Sequence, residues 1–170
     1  MKVYIAGKVS KSSSFGRHDW RDEFCDELSS LSGLSLENLD PLKIEVHTMG
    51  PGEIFGKDCY LISQSDVVVV YLSDDISVGG SQEILIAKYL GKPVIGLAPF
   101  GGKFNGSSRE FHGQLIENWH DPFVFSTCDI VCKDTNEVAD ALQEVAKGHI
   151  KAKTMSIIDQ AAADFEKTIK

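Results

Sequence analysis

Short apolar runs alternate along this chain with longer amphipathic stretches, and the change of period between them marks out its elements. Val3, Tyr4, Ile5, Ala6 and Gly7 form a first strand-like run, followed by a polar loop rich in Ser and then by apolar positions at helical spacing from Asp19 to Leu31. Leu42 to Val46 reads as a second strand and Glu53 to Ser63 as a short helix. The run Asp66 to Leu72 contains consecutive valines at 67 to 70, a composition that suits a strand buried on both faces of a parallel sheet. Ser73 to Gly80 reads as a loop and Ser81 to Leu90 as a helix, ended by Gly91 and Pro93 before the strand Val94 to Leu97. Beyond it the pattern predicts a helix near Arg109 to Asn118 and a terminal strand around Asp129 to Val131, which Phe123 to Phe125 join or precede. Helices follow over Asn136 to Lys147 and Thr154 to Thr168, with Gly148 as a break. This order predicts the α/β class: a single-domain open parallel sheet with flanking helices, flavodoxin-like or Rossmann-like. Residues 1–150 would be the domain, and 151–170 a C-terminal helical extension packed on the domain or on a partner.

A chain of 170 residues suits one domain. Its 17 Lys and Arg against 25 Asp and Glu give a net charge of -8, which opposes nonspecific attraction to nucleic acid or an anionic membrane. Arg17, Arg21 and Arg109 are scattered and suggest individual contacts more than a basic stripe. No apolar segment reaches membrane-spanning length and the start does not resemble a signal peptide, so a cytoplasmic location is expected. Cys25, Cys59, Cys128 and Cys132 outline neither a disulfide framework nor a metal motif; no metal and no cofactor is expected. Neither the dinucleotide fingerprint nor a glycine-rich Lys-Ser or Lys-Thr phosphate loop is present.

In a parallel sheet, the loops beyond the carboxyl ends of the strands converge on the ligand crevice. Glu83 falls in the first turn of its predicted helix, where unpaired amides and the helix dipole favour a charged carboxylate; that suits a nucleophile, and equally a capping acid. Asp58, on the preceding helix, can converge with it or face solvent as an ordinary helix aspartate. Together they would offer attack and acid assistance at an anomeric carbon, a retaining arrangement when the groups lie about 5 Å apart. Asp66 begins a strand that spans roughly 20 Å and so belongs at the far end from such chemistry. Asp74 and Asp75 could bind sugar hydroxyls or support an acid. Ser10, with Ser12, Ser13, Ser14 and Arg17, could form a phosphate pocket or a polar turn. Ser107, Ser108 and Arg109 repeat that chemistry, or else open a helix. His112 and Trp119 could line a base pocket or pack.

The stretch KDCYLISQSDVVVVYLSDDISVGGSQEILIAKYLGKPVI, supported upstream by VYIAG, resembles the nucleoside 2-deoxyribosyltransferase superfamily, including its 2-deoxynucleoside 5-monophosphate N-hydrolase branch. Weaker topological likeness extends over residues 1–147. The resemblance implies Glu83 as nucleophile, Asp58 as the proton-transfer acid, Ser77 and Gly79, with Gly80 beside them, in a phosphate-contacting loop that reaches across a dimer, and Tyr4 and Gly7 at the sugar pocket. It implies N-glycosidic cleavage of (deoxy)nucleoside 5-monophosphates through a covalent glycosyl-enzyme, in a homodimer or higher homo-oligomer. Nucleobase exchange is an alternative, as is a non-catalytic nucleotide-binding protein. Lys8 stands where many transferases carry Pro, the first loop is lengthened by Lys11 to Phe15, and Asp58 and Glu83 are one residue farther apart than in the hydrolase pattern; the serine and arginine candidates in two loops, and the lack of a clear counterpart to the transferases' base-binding carboxylate near the chain end, favour hydrolysis.

Overall fold

A computed structural model describes residues 1–7, 20–45, 50–72 and 75–169. Its strands and helices alternate as β1 (Lys2–Gly7), α1 (Trp20–Ser32), β2 (Glu37–Asn38), α2 (Pro51–Gln64), β3 (Val67–Tyr71), α3 (Val78–Tyr89), β4 (Val94–Leu97), β5 (Asn105–Phe111), β6 (Gln114–His120), α4 (Pro122–Thr127), β7 (Ile130–Cys132), α5 (Thr135–Ala146) and α6 (Ser156–Thr168). The main sheet has the order β2-β1-β3-β4-β7, all neighbours parallel, while β5 and β6 pair separately. This is a single-domain parallel α/β sheet flanked by helices, as the alternation predicts, with its topological switch between β1 and β3.

The period of two along each strand divides the core. Val3, Ile5, Val67, Val69, Ile95 and Leu97 face α1 and α5, where Phe24, Leu28, Val138 and Leu142 cover them. Tyr4, Ala6, Val68, Val70 and Val94 face α2, α3 and α4, against Leu61, Ile62, Ile84, Ala87 and Val124. Each of the four consecutive valines is fully buried because β3 is central and covered on both sides. Asp66 sits at the amino edge of β3, where its backbone N–H donates to the Lys2 carbonyl at 2.8 Å and its Oδ2 accepts the Lys2 N–H at 2.7 Å, far from the switch-point crevice.

Two expectations are corrected. The strand expected at Leu42 to Val46 is absent from the described part of that stretch: Asp40 caps a 3-10 turn at Pro41–Lys43 by accepting from Leu42 N, and the strand beside β1 is the two-residue β2 upstream. The helix expected near Arg109 to Asn118 is a hairpin, β5 against β6, closed by His112 and Gly113 at φ 50° and 76°. Two successive left-handed residues make the tight turn that matches strand twist, and no helix tolerates them. Ser107 and Ser108 are therefore strand residues and open no helix.

At the amino edge of the sheet, opposite the crevice, Lys88 of α3 is fully buried and its ammonium meets the buried Asp129 carboxylate. The same carboxylate accepts from Val94 N at 2.7 Å and from Lys153 N at 2.6 Å, which fixes the start of β4 and the segment leading to α6. Asp129→Ala would strand a buried ammonium and two amide donors. The expected cost is about 3–5 kcal/mol, read as a lower urea midpoint at unchanged slope; a melt superimposable on wild type would contradict this role.

Candidate functional site

Tyr4, in the middle of β1, points to the face covered by α2 and α3, and its hydroxyl donates to the Glu83 carboxylate. Asp58 approaches from α2 and the Arg21 guanidinium from the first turn of α1, near enough for both charges to act on Glu83. Four elements thus deliver an acid, a second acid, a phenol and a cation to one space beside the β1–β3 switch. Glu83 and Asp58 are half-buried, Tyr4 and Arg21 buried. One oxygen of Asp58, Oδ1, is sealed from solvent with no hydrogen-bond partner among the described residues.

Burial dominates the electrostatics. It holds the Glu83 carboxyl above its ordinary range, the Asp58 charge pushes the same way, and the Tyr4 hydrogen bond and Arg21 pull back. Burial likewise raises Asp58, against the attraction of Lys57 and Arg21. The Tyr4 phenol is driven up by its own burial first and then by the charges of Glu83 and Asp58, so it stays protonated and serves as a donor. The Asp58 charge thus hinders the ionisation of Glu83, its neighbour across the space between α2 and α3.

The beginning of α3 differs from its expected place. Ser77 is the N-cap, its Oγ accepting from Gly80 N at 3.0 Å, so the helix starts at Val78 and Glu83 lies in the second turn, not the first. The helix dipole acts mainly within the first turn, and capping belongs to Ser77; the ionisation of Glu83 therefore depends on side-chain neighbours. Gly80 is required here by close approach, since a Cβ would stand 3.0 Å from Ile76 Cγ1 and 3.3 Å from Ser77 Oγ. Gly79 is exposed beside it.

Gly7 ends β1 above the aromatic cluster of Trp20, Phe24 and Tyr71, and a Cβ there would lie 3.0 Å from the Trp20 ring and 3.1 Å from Tyr71 Cβ. Asp75 accepts from Ile76 N at 2.9 Å and pairs with Lys103 at 2.6 Å, tying the loop before α3 to the base of the hairpin. Ser107, Ser108 and Arg109 lie apart from Glu83 and Asp58, around an open hollow of about 420 Å³ with Gly101, Gly102, Lys103, Gly106 and Trp119. Arg109 stacks 5.0 Å from the Trp119 ring and donates to the Lys103 carbonyl at 3.0 Å. Trp119 Nε1 donates to the same carbonyl at 3.2 Å, and Trp119 packs within the hairpin at 5.7 Å from the Phe111 ring, with His112 in the turn. Ser10, Arg17 and Asp74 lie outside the described residues. Among the described residues no group of three or more His, Cys, Asp or Glu could hold a metal ion, and no helix is long and apolar enough to cross a membrane.

Sequence reasoning missed Arg21. Its signal was available only in hindsight: an arginine at the start of a helix whose next turns, Phe24, Cys25 and Leu28, are buried against β1.

No family model and no curated protein matches the chain. Solved structures do. A conserved protein from Enterococcus faecalis V583 superposes at TM-score 0.58 with 17% identity, covering 84% of this chain and 97% of that one. A 2-desoxiribosyltransferase from Leishmania mexicana gives 0.53 with 21% identity over 85% and 97%. A CMP N-glycosidase, BcmB, from Clostridium botulinum gives 0.47 with 15% identity over 84% and 98%. At these identities the first two likenesses show a shared fold.

Because the Tyr4 hydroxyl stabilises the ionised form of Glu83, Tyr4→Phe removes a donor and should move the Glu83 titration to higher pH. Carbon-13 NMR of labelled glutamate, with the resonance assigned through Glu83→Gln, reads this directly. A midpoint that stays put or falls would mean the phenol does not support the charge.

Proposed function

We propose that the chain cleaves the N-glycosidic bond of (deoxy)nucleoside 5-monophosphates, releasing a nucleobase and a sugar phosphate. The observation that carries this reading is the meeting of Glu83, Tyr4 and Asp58 in one half-dry space beside the switch point of the sheet. The shared fold with a 2-desoxiribosyltransferase from Leishmania mexicana supports it as context.

In the first step Glu83 attacks the anomeric carbon. The bond to the base nitrogen breaks with its electron pair leaving on the base, which takes a proton from Asp58, and an ester joins the sugar to Glu83. In the second step the now charged Asp58 takes a proton from water, the water oxygen bonds to the anomeric carbon, and Glu83 departs as a carboxylate. Burial raises Asp58, the direction a general acid working near neutral pH requires. The Tyr4 phenol steadies Glu83 before attack and after release. With a second base in place of water, the same two steps give base exchange.

Substrate contacts would fall to Gly7 and to the loop entering α3, where the Ser77 hydroxyl and the Gly79 N–H would meet a phosphate while the Gly80 N–H, bonded to Ser77 Oγ, holds the turn. Asp75 would reach a sugar hydroxyl from its pair with Lys103, and Ser107, Ser108 and Arg109 would receive a substrate held by another subunit. The chain would act as a homodimer, for which exposed Phe55, Tyr60 and Tyr89 on α2 and α3 supply apolar area. Residues 151–170 would form an extension available to a partner, since α6 buries none of its residues.

The test follows free base and newly formed nucleosides, with and without a second base, on matched nucleosides and their 5-monophosphates. Base release from monophosphates without exchange is expected; exchange would convert the reading to transfer, and binding without release would leave a binding protein. Glu83→Ala should fold and lose about 10³-fold or more in kcat, and full activity in a folded E83A sample would remove it as nucleophile. Asp58→Asn should flatten the basic limb of the pH profile, and an unaltered profile would take proton transfer away from it.

A further inference from the structure

The parallel ladder on the outer edge of β1 begins with β2 and is finished by a side chain. Glu37 N donates to the Met1 carbonyl and Leu39 N to the Val3 carbonyl, each at 2.9 Å, and there β2 stops. With a period of two, the next carbonyls on that edge are Ile5 and Gly7. Arg21 takes both: Nε donates to the Ile5 carbonyl at 3.0 Å and Nη2 to the Gly7 carbonyl at 3.1 Å. The rigid fork of a guanidinium reaches two acceptors one strand repeat apart, which an ammonium does not. The remaining nitrogen, Nη1, is buried without a hydrogen bond among the described residues and faces Asp40 Oδ1 at 3.9 Å. Asp40, itself buried, is held by accepting from Leu42 N at 2.9 Å.

We propose that Arg21 is a positioning residue for this site: its guanidinium replaces the missing strand beside β1, which fixes Tyr4 against Glu83, and at the same time sets a buried positive charge within reach of both carboxylates. The ladder role rests on bond geometry alone. The charge role agrees with the direction in which Arg21 acts on Glu83, Asp58 and Tyr4. Among the described residues, the ionisable groups facing this space are Tyr4 from β1, Arg21 from α1, Asp40 from the segment after β2, Lys57 and Asp58 from α2, and Glu83 from α3. Arg21 is the buried cation of the set; Lys57, half-exposed, sits beside Asp58.

Two substitutions separate the roles. Arg21→Gln keeps a single polar donor and loses the charge; Arg21→Lys keeps the charge and loses the fork. Glu83 is titrated by carbon-13 NMR in each, and base release from 5-monophosphates is followed against pH. In R21Q the Glu83 midpoint should move up, with the acidic limb of kcat/KM following it. In R21K the charge remains, so the Glu83 midpoint should rise no further than in Tyr4→Phe, while kcat falls about tenfold or more through misplacement of Tyr4. An unshifted midpoint in R21Q overturns the charge role, and wild-type kcat in R21K overturns the ladder role. Should R21Q not fold, Asp40→Asn decides the charge role from the other side: an asparagine still caps Leu42, frees the guanidinium of its counter-charge, and should move the Glu83 midpoint down, whereas an unmoved midpoint overturns it. The kinetic arm rests on Glu83 being the nucleophile and the titration does not. Turnover that survives E83A therefore sinks that reading while the NMR shifts still judge Arg21.

Discussion

A carboxylate withdrawn from water resists ionising, and the space between α2 and α3 withdraws two of them together. The arrangement around β1 follows from that constraint. With the dipole of α3 acting mainly ahead of Glu83, relief comes from a phenol that donates to it and a guanidinium anchored to backbone carbonyls. Asp58 is drawn toward its charged form by Lys57 and Arg21, while its Oδ1 has no hydrogen-bond partner among the described residues. The two acids sit in different surroundings, which is what the proposed reaction would ask of a pair in which one attacks as an anion and the other arrives with a proton.

How much of this was legible in the chain depends on where each residue finds its partners. The valines at 67 to 70 announced a strand covered on both faces because continuous apolarity has few other uses at that length. Asp58 and Glu83 could be brought together from topology, since the helices before and after a central strand on the same side of a sheet are neighbours. Arg21 could not. Its acceptors are main-chain carbonyls left open because β2 is two residues long, and Glu37–Asn38 has no apolar run to betray a strand at all. A charge whose partners are backbone atoms leaves no mark in side-chain patterning.

The misread hairpin has a different cause. Phe111, Leu115, Ile116 and Trp119 fall at spacings that fit one face of a helix, and nothing in that count registers the turn. Gly113 was the warning: together with His112 it adopts left-handed backbone, and the alternation then runs on two short strands instead of one helix. Leu115 and Phe111 are left exposed, as a two-stranded ribbon with one anchored end allows, and the ribbon is secured by Trp119 under Arg109 and by Asn105 Nδ2 donating to the Ala98 carbonyl at 3.1 Å. The start of α3 was misplaced for a related reason: several small polar residues precede Glu83, and only the hydrogen bond from Gly80 to Ser77 selects the true cap.

The two ends of the sheet carry opposite kinds of buried charge. At the amino edge, Lys88 and Asp129 are matched one to one, and the carboxylate is further satisfied by two backbone amides. Such a group has no spare valence and can only hold strands together. At the carboxyl end of β1 the charges are unmatched in number, with Asp40, Asp58 and Glu83 around the one buried cation among the described residues, Arg21, an orphaned Asp58 oxygen, and the Asp58 charge acting on Glu83. An excess of acid in a dry place costs stability, and it persists in a fold only where neighbours determine its geometry from several sides. Here four elements do so, and the rigidity they need comes from a β1 edge that is hydrogen-bonded along its described length, by a strand where β2 exists and by a guanidinium where it ends. Placing the satisfied pair at one edge and the unsatisfied one at the other keeps the folding energy of the sheet from resting on groups that would change charge in the proposed reaction.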